Sequence, residues 1–162
     1  MVQGPSLGNA QTSIQGRELQ VKRTFQAPRE LVFEVWTDPK HLPNWWGPSG
    51  FTITIHSMEV KPGGAWRYIM HGPDGTDYDN VIRYLEVVRP ERLVYNHGDT
   101  ENEEQFHVTV TFVAQGNTTE LTMLSRFPSA EDLQMAVEQY GAVEGAKQTL
   151  DRLEAELVKL TM

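Results

Sequence analysis

Hydrophobic and polar residues follow different patterns along the chain, and these patterns predict the order of its elements. Apolar and polar residues alternate from Leu19 to Phe25, which is typical of a half-buried strand. Apolar residues at helical spacing follow Pro28, a residue that suits the first turn of a helix. Asp38-Pro39 then resembles a cap and a first turn, so we expect a second short helix directly afterwards.

The middle of the chain, from Phe51 to Ser125, alternates with the period of antiparallel strands. Segments rich in Gly and Pro, such as Lys61–Gly64, interrupt the alternation and predict turns. The clearest strand runs from Phe106 to Phe112, where every second residue is apolar. We therefore expect about six strands in this block.

A long helical pattern closes the chain. Ser129 followed by Asp132 is similar to a capping box, and the pattern runs on to Leu160, roughly 45 Å at 1.5 Å per residue. The apolar stripe changes direction near Gly141 and Gly145. Each glycine costs about 1 kcal/mol relative to alanine in a helix, so the pair predicts a kink or a close approach of the backbone to another element.

This order of elements predicts an α+β architecture, with an antiparallel sheet and its helices gathered on one side. A curved sheet can wrap around the long C-terminal helix. If the side chains between them do not fill the space, a cavity remains between helix and sheet.

The composition limits both the domain organisation and the classes of partner that the protein can bind. The chain has 162 residues, of which 39% are hydrophobic, which suits one domain and provides no run long enough to cross a bilayer. Residues 1–16 are rich in Gly, Ser, Gln and Asn without a period, so we expect a flexible tail followed by one domain over residues 17–162. The formal net charge of -8 disfavours nucleic acids and anionic membranes as partners.

The absence of cysteine excludes disulfides, thiolate zinc sites and a cysteine nucleophile. The first residues contain neither a basic nor an apolar region of the secretory type, so we expect a cytoplasmic protein. The sequence also leaves open a homodimer, because exposed strands and an apolar helix face often pair.

Several short stretches, in the same order and spacing, make the chain resemble the activator of Hsp90 ATPase homologue 1-like group. That group belongs to the superfamily of START and Bet v 1-like helix-grip domains. The resemblance covers about residues 17 to 158 and rests on Phe25–Phe33, Trp36–Leu42, Trp45–Pro48, Lys61–Tyr68, Arg89–Tyr95 and Thr149–Glu154.

The resemblance implies a hydrophobic cavity, held between the sheet and the long helix, that binds a small apolar or aromatic molecule. Relatives in the superfamily include lipid carriers, hormone receptors, polyketide cyclases and cochaperone domains, so fold alone does not assign the chemistry. Binding without chemistry is our first interpretation, and a cyclase, hydrolase or lyase that uses the same cavity is the alternative. An Hsp90 cochaperone ranks last, because residues 1–16 are too short for the separate N-terminal domain of the eukaryotic cochaperone.

Two adjacent tryptophans, Trp45 and Trp46, form the most informative local feature. In an extended backbone neighbouring side chains face opposite ways, so one ring can be buried while the other lies on a rim or in a cavity wall. Both rings could instead close the end of the core.

The candidate ligand-binding residues are those whose pattern places them on the inner faces of the sheet and of the long helix. Met70 and Met123 would let a pocket adapt its shape, and Asn80 and Tyr95 are candidate polar anchors. Glu144 continues a helical stripe and could point into the cavity with a raised pKa, or it could be solvated. The full set is Trp46, Trp66, Tyr68, Met70, Asn80, Tyr95, Phe106, Val108, Val110, Met123, Tyr140 and Glu144.

The histidines give no comparable signal. No two of them have the spacing of metal ligands on a helix, so we predict no metal, no cofactor and no catalytic residue. His41, His71 and His107 are expected at the surface, whereas His56 and His97 could reach the interior.

Overall fold

An antiparallel sheet of eight strands carries its helices on one face, which confirms the predicted α+β helix-grip architecture. The computed structural model describes residues 10–98 and 106–161. The strands are β1 Gln11–Gln15, β2 Glu18–Phe25, β3 Thr52–Met58, β4 Ala65–His71, β5 Asp77–Val88, β6 Arg92–Gly98, β7 Phe106–Gln115 and β8 Thr118–Arg126. The helices are α1 Arg29–Thr37, a 3-10 turn at Leu42–Asn44, α2 Ala130–Tyr140 and α3 Ala142–Thr161.

The strand order in the sheet is β1-β2-β8-β7-β6-β5-β4-β3, and every neighbouring pair is antiparallel. The register shifts between Ile55 and Ser57 in β3 and between Tyr84 and Glu86 in β5. Such bulges increase local twist and bend the strand, and here they lie in the half of the sheet that β3 to β6 form.

The first strand corrects the predicted tail. Gln11–Gln15 pairs with β2 through a turn at Gly16, so the prediction of a flexible tail is wrong for these residues. All residues of β1 are exposed, and a strand without a buried face shows no alternation of apolar and polar residues. The rest of the predicted tail, residues 1–9, lies outside the described residues.

Two short helical segments follow β2, as predicted. The second is only a 3-10 turn, although Asp38 makes the expected local contact by accepting the Lys40 N–H at 2.8 Å. Pro43 lacks a backbone donor and Pro48 follows soon after, so a longer helix cannot form here.

The C-terminal helical pattern forms two helices, which corrects the expectation of one unbroken helix. Gly141 adopts φ 63°, a left-handed conformation that ends α2, and its N–H bonds the Ala136 carbonyl. The predicted kink is therefore confirmed at Gly141. Gly145 does not make the close backbone approach, because a Cβ on it would meet Pro48 at 3.5 Å, an ordinary van der Waals contact.

The main core lies between the sheet, α1 and the C-terminal half of α3. Fully burying one large apolar side chain in this core stabilises the fold by about 1.5–3 kcal/mol. The largest buried residues there include Phe25, Phe33, Trp36, Leu42, Trp45, Phe112, Leu121, Leu153 and Leu157.

Polar contacts also fix the C-terminal half of α3. Arg23 of β2 is buried and pairs with Asp151 at 2.6 Å and with Glu154 at 3.1 Å. Glu156 is buried as well, and it accepts a hydrogen bond from Asn44 at 3.0 Å and contacts His41 at 3.3 Å. Because each buried charge has partners, these contacts hold this half of α3 against both β2 and the 3-10 turn.

No helix within residues 10–98 and 106–161 combines the length and the apolar character that a membrane span requires.

Candidate ligand-binding site

A cavity of about 250 Å³ lies between the sheet and the N-terminal half of α3. Its sheet wall consists of Leu19, Val21, Met70, Tyr95, His97, Phe106, Met123, Ser125 and Phe127. Its helix wall consists of Tyr140, Gly141, Ala142, Gly145, Ala146, Thr149 and Leu150. Trp36, Trp46, Gly47 and Pro48 close the remaining side.

The cavity exists because one stripe of α3 changes size along the helix. Residues three or four apart share a helix face, and the stripe that faces the sheet begins with Ala142 and Ala146. The same stripe continues with leucines at Leu150, Leu153 and Leu157, which are buried. The small residues do not reach the sheet, so space remains at the N-terminal end of α3.

The sheet wall is built from neighbouring rows of the register. Leu19 pairs with Ser125, and Val108 pairs with both Ser125 and Tyr95, so these residues form one row across four strands. In the next row His97 pairs with Phe106, and the Phe106 ring stacks on Phe127 at 5.0 Å between centroids. The wall is apolar with isolated polar groups, the composition of a small-molecule site.

The tryptophan pair divides its roles between core and wall. Trp45 is fully buried, and its Nε1 donates to the Val35 carbonyl at 3.2 Å. Trp46 lines the cavity, and its Nε1 donates to Tyr68 Oη at 2.9 Å. Both rings are therefore buried in the core, as the second interpretation expects, and Trp46 also forms part of the cavity wall.

Arg152 positions the loop that follows Trp46. Its Nη1 donates to the carbonyls of Gly47 at 2.8 Å, Pro48 at 3.0 Å and Phe51 at 3.1 Å. Partial burial lowers the pKa of the Arg152 guanidinium. Because this loop supplies part of the cavity wall, Arg152 of α3 is a positioning residue for the site. No side-chain pattern in the sequence signals a contact with backbone carbonyls.

The structure separates the predicted site residues into three groups. Those that line the cavity are Trp46, Met70, Tyr95, Phe106, Met123 and Tyr140. Those that are buried in the core without lining it are Trp66, Tyr68, Val108 and Val110. The remaining two do not line the cavity. Asn80 lies behind the wall, where its Oδ1 contacts His97 Nε2 at 3.0 Å, and Glu144 is exposed on α3.

Trp66 and Tyr68 face inward as predicted, but another ring covers them. The Trp46 ring lies 4.9 Å from Trp66 and 6.4 Å from Tyr68 between centroids. The alternation along β4 identifies the inward face of the strand and carries no information about which ring from the adjoining loop covers it.

Glu144 does not line the cavity, which corrects its predicted position. The break at Gly141 rotates α3 relative to α2, so the stripe that contains Tyr140 does not continue to Glu144. Glu144 is exposed, and the solvated interpretation therefore applies. Tyr140 lines the cavity only from its rim, because it is 77% exposed.

His97 is a lining residue that the candidate set did not include. Its Nε2 lies 3.0 Å from Asn80 Oδ1 and 3.2 Å from Tyr68 Oη. Burial lowers the pKa of His97 to about 4, so the ring is neutral at pH 7. The alternation of Tyr95 and His97 along β6 was a usable signal, whereas His56 on β3 is exposed.

Tyr95 and Ser125 are further polar residues of the wall. The Tyr95 hydroxyl is buried and has no hydrogen-bond partner in the part of the chain that the structure describes. Burial raises the pKa of Tyr95 well above its usual value, so its hydroxyl keeps its proton. Ser125 belongs to the same row of the sheet and was missed because serine interrupts the apolar alternation of β8.

A groove of about 740 Å³ adjoins the cavity along α2. It shares Phe106, Phe127, Tyr140 and Ala142 with the cavity wall. Met135 of α2 also lines the groove and is 48% exposed. The groove therefore joins the cavity at its Tyr140 rim.

Glu34, Asp38 and His41 bring candidate metal-ligand atoms within 4.8 Å of one another, outside the cavity lining. Other contacts account for two members of this group. Asp38 accepts the Lys40 N–H, and His41 Nδ1 contacts the buried Glu156.

Residues 26–158 match the family model described as activator of Hsp90 ATPase homolog 1-like protein. The chain belongs to this family. The match spans the tryptophan pair, the sheet wall of the cavity and most of α3, and it confirms the resemblance inferred from the short stretches. No curated protein is significantly similar in sequence.

Solved structures share the fold over nearly the whole chain. The protein Ms6760 from Mycobacterium smegmatis is 26% identical, with a TM-score of 0.83, and the match covers 95% of this chain and 98% of that one. A protein from Arthrobacter aurescens is 25% identical, with a TM-score of 0.84 and coverage of 95% and 93%. The AHSA1 protein from Silicibacter pomeroyi is 22% identical, with a TM-score of 0.70 and coverage of 87% and 97%, which supports the fold alone.

Proposed function

We propose that this member of the family binds one small, neutral, apolar or aromatic molecule in the cavity beneath α3 and does not alter it chemically. The observation that carries the proposal is the character of the wall. The described residues that line the cavity carry no formal charge at neutral pH, since the pKa of His97 is about 4. Burying an ion there would be costly, whereas burying an apolar ring is favourable.

The volume of about 250 Å³ limits the size of the ligand. A protein cavity of about 150 Å³ holds benzene, and drug-sized ligands occupy roughly 300–1,000 Å³. We therefore expect one aromatic ring, two fused rings or a short aliphatic chain. A ligand of this size would bind with a Kd on the order of 10–100 µM.

The groove along α2 provides a route of entry. It meets the cavity at Tyr140, whose side chain is largely exposed and free to change rotamer. The left-handed residue Gly141 lies next to it and allows this corner to bend. A ligand would enter between α2 and the sheet and pass the Tyr140 ring.

The protonation states of His97 and Tyr95 in the cavity wall favour binding over the alternative of a cyclase, hydrolase or lyase. Acid–base catalysis is most efficient when the pKa of the catalytic group lies near the working pH. Burial moves the pKa of His97 far below neutrality and that of Tyr95 far above it. Both groups therefore stay neutral and can donate or accept hydrogen bonds, but they do not readily exchange protons with a ligand.

The predictions about nucleic acids, a homodimer, the cellular location and Hsp90 are unchanged. The net charge of -8 still argues against nucleic acids as partners. A homodimer and a cytoplasmic location stay predictions from the sequence. The Hsp90 cochaperone hypothesis keeps the last rank, since the cavity is a feature for a small molecule.

Isothermal titration calorimetry with naphthalene, benzene and a short alkanol tests the proposal. The variant Ala146→Leu fills the cavity, and Ala155→Leu makes the same change on the exposed face of α3. We expect at least one probe to bind the wild type and Ala155→Leu with 1:1 stoichiometry and not to bind Ala146→Leu. Equal binding by Ala146→Leu, or no binding of any probe to the wild type, would overturn the proposal.

A further inference from the structure

We propose that His97 accepts a hydrogen bond from the ligand through Nδ1, so that the cavity prefers aromatic molecules bearing a neutral donor, such as phenols, over the same molecules without one. This inference rests on the proposed binding function and adds the chemical class of the ligand. It follows from a chain of hydrogen bonds that starts on β5 and ends at the cavity wall.

The first link is the orientation of the Asn80 amide. Asn80 Nδ2 donates to the Tyr78 carbonyl at 3.1 Å. A carbonyl oxygen only accepts, so the amide nitrogen must face Tyr78 and the amide oxygen must face the other way. That oxygen, Asn80 Oδ1, lies 3.0 Å from His97 Nε2.

The second link is the tautomer of the histidine. Because Asn80 Oδ1 is an acceptor, His97 Nε2 must carry the hydrogen. Tyr68 Oη lies 3.2 Å from the same nitrogen, and its second lone pair can accept from the Nε2–H while the first accepts from Trp46 Nε1. A neutral imidazole holds one ring proton, so Nδ1 is left with a free lone pair.

The third link is the position of that lone pair. His97 lines the cavity, where its ring lies 4.8 Å from the Phe106 ring between centroids. Within residues 10–98 and 106–161, no donor is within hydrogen-bond distance of His97 Nδ1. Burial lowers the pKa of His97 to about 4, so the ring does not relieve this unmet acceptor by taking up a proton at neutral pH.

An unmet acceptor in an apolar site selects a ligand that supplies a donor. A hydroxyl or N–H group that enters the cavity loses its hydrogen bonds to water, and His97 Nδ1 replaces one of them. An ether oxygen at the same position can only accept, as can His97 Nδ1, so the two atoms form no hydrogen bond and an ether gains no affinity from this contact. A cation is disfavoured because the described wall carries no negative charge.

Matched two-ring probes test the inference by calorimetry: naphthalene, 2-naphthol and 2-methoxynaphthalene. In the wild type we expect 2-naphthol to bind about threefold to tenfold more tightly than either other probe. In His97→Phe the advantage of 2-naphthol should disappear. His107→Phe is the matched control, since His107 also contacts an asparagine, Asn96, but does so away from the cavity lining.

Three outcomes separate the possible failures. If all probes bind the wild type equally well, the His97 inference fails and the proposed function stands. If the preference disappears in Ser125→Ala rather than in His97→Phe, the contact belongs to Ser125 and the inference is overturned. If no probe binds the wild type, both proposals fail.

Nitrogen NMR of the wild-type histidine ring gives a readout that does not depend on the folding of a variant. We expect a pyrrole-type resonance for His97 Nε2 and a pyridine-type resonance for Nδ1. Only the Nδ1 resonance should move upfield when 2-naphthol is added, and it should move far less with naphthalene. A protonated Nδ1 in the free protein would overturn the inference.

Discussion

The two halves of α3 face the same sheet, but one half packs against it and the other leaves a cavity. The C-terminal half presents Leu153 and Leu157, which fill the space, and polar contacts of the buried Arg23 and Glu156 side chains fix its position. The N-terminal half presents alanine and glycine, and a cavity remains beneath it. The difference indicates that one half anchors the helix firmly enough for the other half to stand away from the sheet.

The largest predicted difference between the two halves concerns side-chain truncation. Leu153→Ala should lower the free energy of unfolding by about 3–5 kcal/mol, because it opens a void in a filled core. Met123→Ala should cost only about 1–2 kcal/mol, because that side chain already borders empty space. Urea unfolding measures both. Equal losses would mean that the cavity end is packed as tightly as the anchored end.

The pH dependence of stability tests the cavity end separately. The folded pKa of His97, about 4, lies below the unfolded value of about 6.5, so the unfolded state binds the proton more readily between these values. Stability from this group is therefore present above about pH 6.5 and is lost as the pH falls toward 4, up to about 3 kcal/mol. The difference between wild type and His97→Phe in urea unfolding at several pH values isolates this contribution. A difference that does not change over this window would contradict the burial of His97.

The contact between the halves is carried by Arg152, which belongs to the anchored half and holds part of the cavity wall. Arg152→Met should lower stability by about 2 kcal/mol, because removing the charged donor leaves three partly buried carbonyls without this partner. It should also weaken naphthalene binding. The matched variant Arg92→Met removes an exposed pair with Glu86 and should cost less than about 1 kcal/mol without affecting binding. Unchanged binding in Arg152→Met would show that the loop needs no such support.

The smallest effect concerns the glycine of the open half. A Cβ at Gly145 would meet Pro48 at 3.5 Å, an ordinary contact, and alanine is the better helix former. Gly145→Ala should therefore raise stability by about 0.5–1 kcal/mol while weakening ligand binding. Thermal unfolding and calorimetry measure the two effects. Destabilisation would indicate that the glycine serves close packing and not space.

The sequence predicted the parts of this molecule that depend on local periodicity. The strand alternation, the break at Gly141 and the inward faces of β4 and β7 are all local signals. The exposed strand β1 was missed because it buries no face and therefore has no period. The predicted extension of a helical stripe to Glu144 failed because it crossed the break at Gly141.

The candidate site was harder to predict because the lining of a cavity depends on which side chains cover one another in the folded protein. Trp66 and Trp46 are both aromatic residues facing the interior, yet only Trp46 lines the cavity, since its ring covers the other. Arg152 acts on backbone carbonyls, and His97 depends on the orientation of the Asn80 amide on the neighbouring strand, 17 residues away in the chain. Such relations are three-dimensional and leave no periodic trace in the chain.

Methyl NMR of the methionines tests the central claim most directly. Met70 and Met123 line the cavity, whereas Met58 lies on β3 outside the lining. Titration with naphthalene should shift the Met70 and Met123 methyl resonances along one saturable 1:1 curve and leave Met58 unchanged. If the Met70 and Met123 methyls do not shift, or if Met58 shifts equally, the cavity beneath the open half of α3 is not a binding site.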